Sequence, residues 1–155
     1  METLSRKFVV EQLSATYLEW FVNTAAVNML TDELKRPELV HYETIYGLAI
    51  RGMMEDTAFI VRCDGEPVGA LGSILTPNIY NPTYKVLAEM FWYVLPEYRN
   101  TRAGLMLLNA FDQKASEIAD ESTLSLLSSS KVNTASMEKR GFKMVELGFN
   151  KKYKE

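Results

Sequence analysis

The stretch Val94-Leu95-Pro96-Glu97-Tyr98-Arg99-Asn100-Thr101-Arg102-Ala103-Gly104 decides how this chain is read. An apolar run from Phe91 to Leu95 stops at Pro96. A small polar turn follows, and a helical pattern begins at Leu105. Strand, turn and helix in that order aim backbone N–H groups outward at a helix N-terminus. Those donors lack acceptors within the helix and lie at the positive end of its dipole, so they suit a phosphate or pyrophosphate. The bland alternative is a plain strand–helix connection with no ligand.

Periodicity extends the reading in both directions. Toward the N-terminus, Phe8-Val9-Val10 reads as a short strand. Ser14 can cap a helix whose stripe is Leu18, Phe21, Val22, Ala25 and Met29. Pro37 suits a helix start, and Leu39, Tyr42, Tyr46, Ala49 and Met53 form a second stripe. Two apolar runs, Ala58 to Arg62 and Val68 to Leu75, flank Asp64-Gly65, a strong hairpin signal. A loop rich in Pro and Asn, Thr76 to Thr83, leads into the strand Val86 to Leu95.

Toward the C-terminus, the helix after Gly104 buries Leu105, Leu108, Phe111, Ala115 and Ile118. Thr123 to Leu127 reads as another strand, and Ser128, Ser129 and Ser130 as a loop that could relay a proton through water. Asn133 to Arg140 is a short helix closed by Gly141, and Phe142 to Tyr153 is a final strand or hairpin. The order is β-αα-βββ-α-β-α-β, an α/β pattern on a mixed sheet. Residues 1–155 carry no linker or repeat and read as a single domain.

Composition narrows the function. The net charge of −3 argues against a general basic surface for nucleic acid, and Lys151, Lys152 and Lys154 alone do not change that. Residues 1–60 hold nine acids and five bases (−4), and residues 61–155 hold eleven acids and twelve bases (+1). An acidic half beside a slightly basic one suits a cationic substrate meeting an anionic cofactor, or is ordinary surface variation. No stretch approaches the roughly 18 apolar residues of a membrane span. Met1 to Val10 lacks the apolar core of a secretory signal. One cysteine, Cys63, allows no internal disulfide, and with His41 it makes no metal cluster. A reducing cytoplasm is the expected setting.

Three pieces, in order, carry a family resemblance. They are the strand Glu89-Met90-Phe91-Trp92-Tyr93-Val94 running into Pro96-Glu97-Tyr98-Arg99, the turn Arg99 to Gly104, and Asn133-Thr134-Ala135 followed by Lys139-Arg140-Gly141-Phe142. Together they resemble the GNAT superfamily of acyl-CoA-dependent N-acyltransferases over nearly the whole chain. The tone is similar to its short, phage-borne members, which would place the protein in a host cytoplasm.

The resemblance implies a mixed sheet of about six to seven strands with helices on both faces. Its central strands splay to form a slot for CoA. It implies acetyl-CoA as acyl donor and a primary amine, small molecule or protein, as acceptor. The turn Arg99, Asn100, Thr101, Arg102, Ala103 and Gly104 is similar to the family's pyrophosphate loop, and the Val94 backbone would bond the pantetheine. Asn133 would contact the pantetheine, or simply cap its helix. Tyr80, Tyr84 and Tyr93 would border the acceptor, or pack around the sheet.

Glu89 is the candidate base. It lies in an apolar strand where similar enzymes place a catalytic Glu, and burial would raise its pKa toward the working pH. Its other reading is a strand-end carboxylate facing water or paired with Lys85. Trp92, by alternation, would face the opposite side from Glu89, Phe91 and Tyr93.

Two residues depart from the family pattern. Arg102 stands where the loop usually has its first Gly, which would be strained if the backbone needs a positive φ. Met137 stands where the family often has a Tyr acting as general acid, so water or another group would protonate the thiolate. Ser136 is a weak substitute. A different class of function stays open beside the enzyme: a GNAT-fold module that binds acyl-CoA, or a protein partner, without turnover. The apolar final segment permits a homodimer through a sheet edge.

Overall fold

The computed structural model describes residues 5–127 and 130–154, so Ser128 and Ser129 of the expected serine relay lie outside the described residues. The chain divides into one compact unit ending at Ser125 and a second beginning at Leu126.

The first unit holds a five-stranded sheet in the order β1 (Phe8–Gln12), β2 (Ala58–Cys63), β3 (Glu66–Pro77), β4 (Lys85–Val94) and β5 (Glu121–Thr123). Neighbours pair antiparallel as far as β4, and β4 pairs parallel with β5. The sheet is therefore mixed, as expected. Five strands replace the expected six to seven, because the apolar final segment from Phe142 forms no strand among the described residues. The strand expected at Thr123 to Leu127 instead begins at Glu121 and ends at Thr123. Asp64 and Gly65 close the β2–β3 hairpin with φ of 51° and 90°. Both central residues are left-handed, as a hairpin turn matched to strand twist requires.

Helices cover both faces. On one lie α1 (residues 15–33) and α2 (Tyr42–Glu55), and on the other lies α3 (Ala103–Ile118). Phe21, Val22, Ala25 and Ala26 of α1 pack with Ala58, Ile60, Ala70, Phe91 and Tyr93 of the sheet. Ser14 precedes α1 without a side-chain capping bond. Much of α1 is wound as π-helix, over Phe21–Ala26 and Met29–Glu33. Such widened turns occur preferentially at functional sites.

The α2 stripe holds at Tyr46, Ala49 and Met53, which pack in the core, and fails at its start. Leu39 and Tyr42 are exposed, while Ala49 and Gly52 are buried. Pro37 starts only a short 3-10 turn, and His41 caps α2 instead, its Nδ1 accepting from the Thr44 N–H at 3.4 Å. On α3 the buried set is Ala103, Leu107, Leu108, Phe111 and Ala115, and Leu105 faces out. Gly104 takes the stripe position beneath Trp92, whose Nε1 donates to the Gly104 carbonyl at 3.2 Å.

In the second unit, α4 (Thr134–Lys139) is capped by Asn133, whose Oδ1 accepts from the Ala135 N–H at 2.8 Å. Gly141 ends it at φ 89°, with Gly141 N–H bonded to the Glu138 carbonyl and Phe142 N–H to that of Met137. This pair of bonds is the left-handed stop that glycine permits. No helix among the described residues is long and apolar enough to cross a membrane.

Candidate functional site

The site is built on β4. From Val86 to Ala88 the strand is paired on both edges, with β3 on one side and β5 on the other. Beyond Ala88 the β5 partner is gone, while β3 pairing continues to Val94. The outer edge of Glu89 to Val94 is thus without a strand partner among the described residues.

Edge chemistry follows from the ladder. Leu95 N–H donates inward to the Val68 carbonyl at 2.8 Å. Antiparallel pairing alternates, so the N–H and C=O of Val94 and of Trp92 point outward to the open edge. The Val94 carbonyl is already taken there by Arg99 Nε at 2.8 Å. Its N–H remains available, and that is the group expected to meet a pantetheine amide.

A bulge sits at the parting point. Ser73 opposes Glu89 and Gly72 opposes Phe91, leaving Met90 as an extra residue. Ser73 and Gly72 are adjacent and face opposite sides, so Glu89 and Phe91 do too. The expectation that Trp92 faces away from Glu89 is corrected here. The extra residue resets the alternation, and Glu89 and Trp92 share the side covered by α3.

Glu89 Oε1 accepts from the Ser125 N–H at 3.1 Å, across the gap where the β4–β5 ladder has ended. Burial pushes its carboxyl up to about 7, and the Ser125 hydrogen bond offsets part of that rise. A carboxyl that ordinarily gives up its proton by pH 5 is thereby placed where it can take and release one near neutrality. No ion pair with Lys85 forms, since the Lys85 Nζ donates to the Pro82 carbonyl.

The turn after β4 passes through a 3-10 turn, Pro96–Tyr98, into α3. Thr101 organises it, its hydroxyl donating to the Tyr98 carbonyl at 2.6 Å and accepting from the Ala103 N–H at 3.2 Å. Met106 N–H bonds the Arg102 carbonyl. Gly104 and Leu105 occupy the first turn of α3, where N–H groups have no acceptor within the helix. These two N–H groups are the ones left open to an acceptor from outside the helix. Arg102 has φ −76° and ψ −1°, ordinary for any residue, so its place in the loop carries no strain. Its guanidinium lies 5.2 Å from the ring centroid of Phe8.

The Arg99 side chain has partners of its own. Besides the Val94 carbonyl, its guanidinium pairs with Glu33 of α1 and lies 5.4 Å from the Tyr93 ring centroid. Glu33 therefore joins the site, tying α1 to the cradle. Sequence gives no signal for a partner 66 residues away. Asn100 lies in the same turn.

The three tyrosines scatter. Tyr93 is buried against α1, Tyr84 is partly exposed, and Tyr80 is 91% exposed on the loop after β3. Asn78 Oδ1 shapes that loop by accepting from the Tyr80 and Asn81 N–H groups. Asn133 and Met137 belong to the second unit, and the Met137 side chain is buried. No cluster of three or more potential metal ligands occurs among the described residues.

A β4 strand with one unpaired edge, a bulge with a carboxylate beside it and a helix N-terminus at the end of the same strand thus stand together in the first unit. Residues 23–142 match the acetyltransferase (GNAT) family, and the chain belongs to that family. Among solved structures it is similar to a transcriptional regulator from Bacillus halodurans C-125, at 18% identity over 95% of this chain and 100% of that one, with a TM-score of 0.69. It is similar to the aminoglycoside acetyltransferase meta-AAC0020 from an uncultured soil metagenomic sample, solved with sisomicin, at 16% identity over 95% and 97%, TM-score 0.67. It is also similar to Arabidopsis thaliana Naa50 in complex with the bisubstrate analogue CoA-Ac-MVNAL, at 16% identity over 90% and 85%, TM-score 0.65. Identities this low establish a shared fold. Among curated proteins, none matches this chain.

Proposed function

We propose that this protein is an N-acetyltransferase that moves an acetyl group from acetyl-CoA to a primary amine. The observation that carries the reading is the Glu89 carboxyl at the parting of β4 and β5, its proton affinity raised toward neutrality beside an unpaired strand edge. The residues present fit the donor. The orphan N–H groups of Gly104 and Leu105 form the helix end of a cradle for a pyrophosphate, and the turn Arg99 to Ala103, held by its own hydrogen bonds at Arg99, Thr101 and Ala103, shapes the rest. The outward N–H of Val94 matches a pantetheine amide or a thioester oxygen.

Acetyl-CoA, when bound, supplies the acyl group as a reactive thioester. Glu89 takes the proton of the ammonium, directly or through one water, and so releases the neutral amine that can attack. The Val94 N–H stabilises negative charge on the carbonyl oxygen. Water returns a proton to the leaving thiolate, since Met137 has none to give. The chain acts as one domain in this scheme.

Met137 also motivates a second reading, an acyl-CoA-binding module without turnover. One experiment separates the two. At about 100 times Kd a ligand specific for the native state adds roughly 2.7 kcal/mol, which raises the unfolding midpoint by about 5–10 °C for a chain of this size. Acetyl-CoA is expected to give that shift, and thiol release on adding amines completes the enzyme reading. A shift without release from any amine supports the module. No shift with either acetyl-CoA or free CoA contradicts both.

A further inference from the structure

Arg99 lies in the turn after β4, but its side chain folds back onto the strand. Nε donates to the Val94 carbonyl at 2.8 Å, the guanidinium lies 5.4 Å from the ring centroid of buried Tyr93, and a terminal nitrogen pairs with Glu33. Glu33 ends α1, and that helix is wound to place it. Two π-helical stretches, Phe21–Ala26 and Met29–Glu33, lead up to it, and Leu34 N–H closes the second on the Met29 carbonyl at 2.8 Å. Each residue turns a regular helix by about 100°, so an extra residue in a turn re-aims the side chains beyond it. Lys35 then takes φ 58°, a left-handed conformation that costs energy for a residue with a Cβ.

We infer that Glu33 is a positioning residue for the acyl donor, because it holds Arg99 on the Val94 carbonyl. This rests on the acetyl-transfer reading and adds to its donor site a residue from outside the turn. An open strand edge offers an incoming amide both an N–H and a carbonyl. At Val94 the carbonyl is taken by Arg99, so the N–H alone is left for the pantetheine or the thioester. One register is thereby fixed, in which a carbonyl oxygen of the donor meets the Val94 N–H. Without Glu33 the long Arg99 side chain regains its rotamer freedom. The Val94 carbonyl is then free to accept from a pantetheine N–H, and the donor gains a second register, displaced along the edge. The Arg99 and Glu33 side chains are 40% and 31% exposed, and ion pairs so exposed add little to stability. The pair therefore acts on the geometry of the edge. A lysine at position 99 would keep the charge but not both contacts, since it lacks the planar fork that reaches Val94 with one nitrogen and Glu33 with another.

The test is calorimetric titration of the full chain with acetyl-CoA, with no amine present. Glu33→Gln is expected to weaken binding by about 3- to 10-fold, the size of one hydrogen bond. Unchanged or tighter binding overturns the inference. Arg99→Lys is expected to lose as much. A lysine variant that keeps the natural affinity means that Arg99 acts by its charge on a phosphate, and also overturns it. Adding Glu33→Gln to Arg99→Lys is expected to cost less than about twofold more, because both changes break one device. Losses that multiply place Glu33 outside that device and overturn its role. Without ligand, the unfolding midpoint of each variant is expected within about 3 °C of the natural chain. A larger drop makes the pair a structural one and overturns the positioning role. If acetyl-CoA does not bind the natural chain, the donor reading fails separately, and NMR still tests the pair. An Arg99 Nε–H resonance protected from exchange in the natural chain and lost in Glu33→Gln supports it. The same resonance in both chains, or in neither, overturns it.

Discussion

The two halves of β4 share one strand and differ in almost everything else. From Val86 to Ala88 the backbone is paired on both edges and the side chains are core, with Leu87 fully buried. From Glu89 to Val94 one edge is unpaired, a residue is inserted, and a carboxyl is half-buried beside exposed backbone donors. Losing a neighbour frees structural N–H groups from the ladder and leaves a carboxyl out of water without an ion-pair partner. The closed half supplies stability, and the open half spends some of it on a raised pKa.

That contrast can be broken first at Leu87. Leu87→Ala removes a fully buried side chain and is expected to cost about 2–5 kcal/mol in chemical denaturation. It should leave the pH midpoint of activity in place, because Leu87 does not touch the open edge. A shifted midpoint would mean that the halves are not separable.

The contrast is sharpened by pH. The carboxyl of Glu89 is raised in the folded state to about 7 from an ordinary value of 4.5. A raised carboxyl favours the folded state most fully below the unfolded pKa, and that stability is lost as pH climbs from about 4.5 to 7. Glu89→Gln carries no such loss. Its stability relative to the natural chain is expected to grow by about 1–3 kcal/mol across that window and to level off above it. A constant difference from pH 4 to 8 would place Glu89 in ordinary solvent.

Much of the first unit could be read from the chain, and for local reasons. Pro96 stops a strand, the Asp64-Gly65 pair demands left-handed backbone, and Phe111 and Ala115 sit at helical spacing. The Met90 bulge could not be read, because an apolar residue inserted into an apolar strand leaves the pattern unchanged while reversing the side on which Glu89 lies. The Arg99–Glu33 pair was hidden by distance in sequence. The final segment misled for the opposite reason. Val145, Leu147 and Phe149 alternate like a strand, yet all are exposed, and alternation reports a pleat only where a neighbouring strand exists to pair with.

The central claim is that Glu89, at the open half of β4, is the base of an acetyl transfer. The most direct measurement is the pH dependence of kcat/KM for the natural chain and for Glu89→Gln, with acetyl-CoA and a primary amine. The account predicts a limb that rises to a midpoint near 7 in the natural chain. In the variant it predicts a loss of about 10²–10⁴-fold and no such limb. An unchanged rate and an unchanged limb in the variant would contradict it.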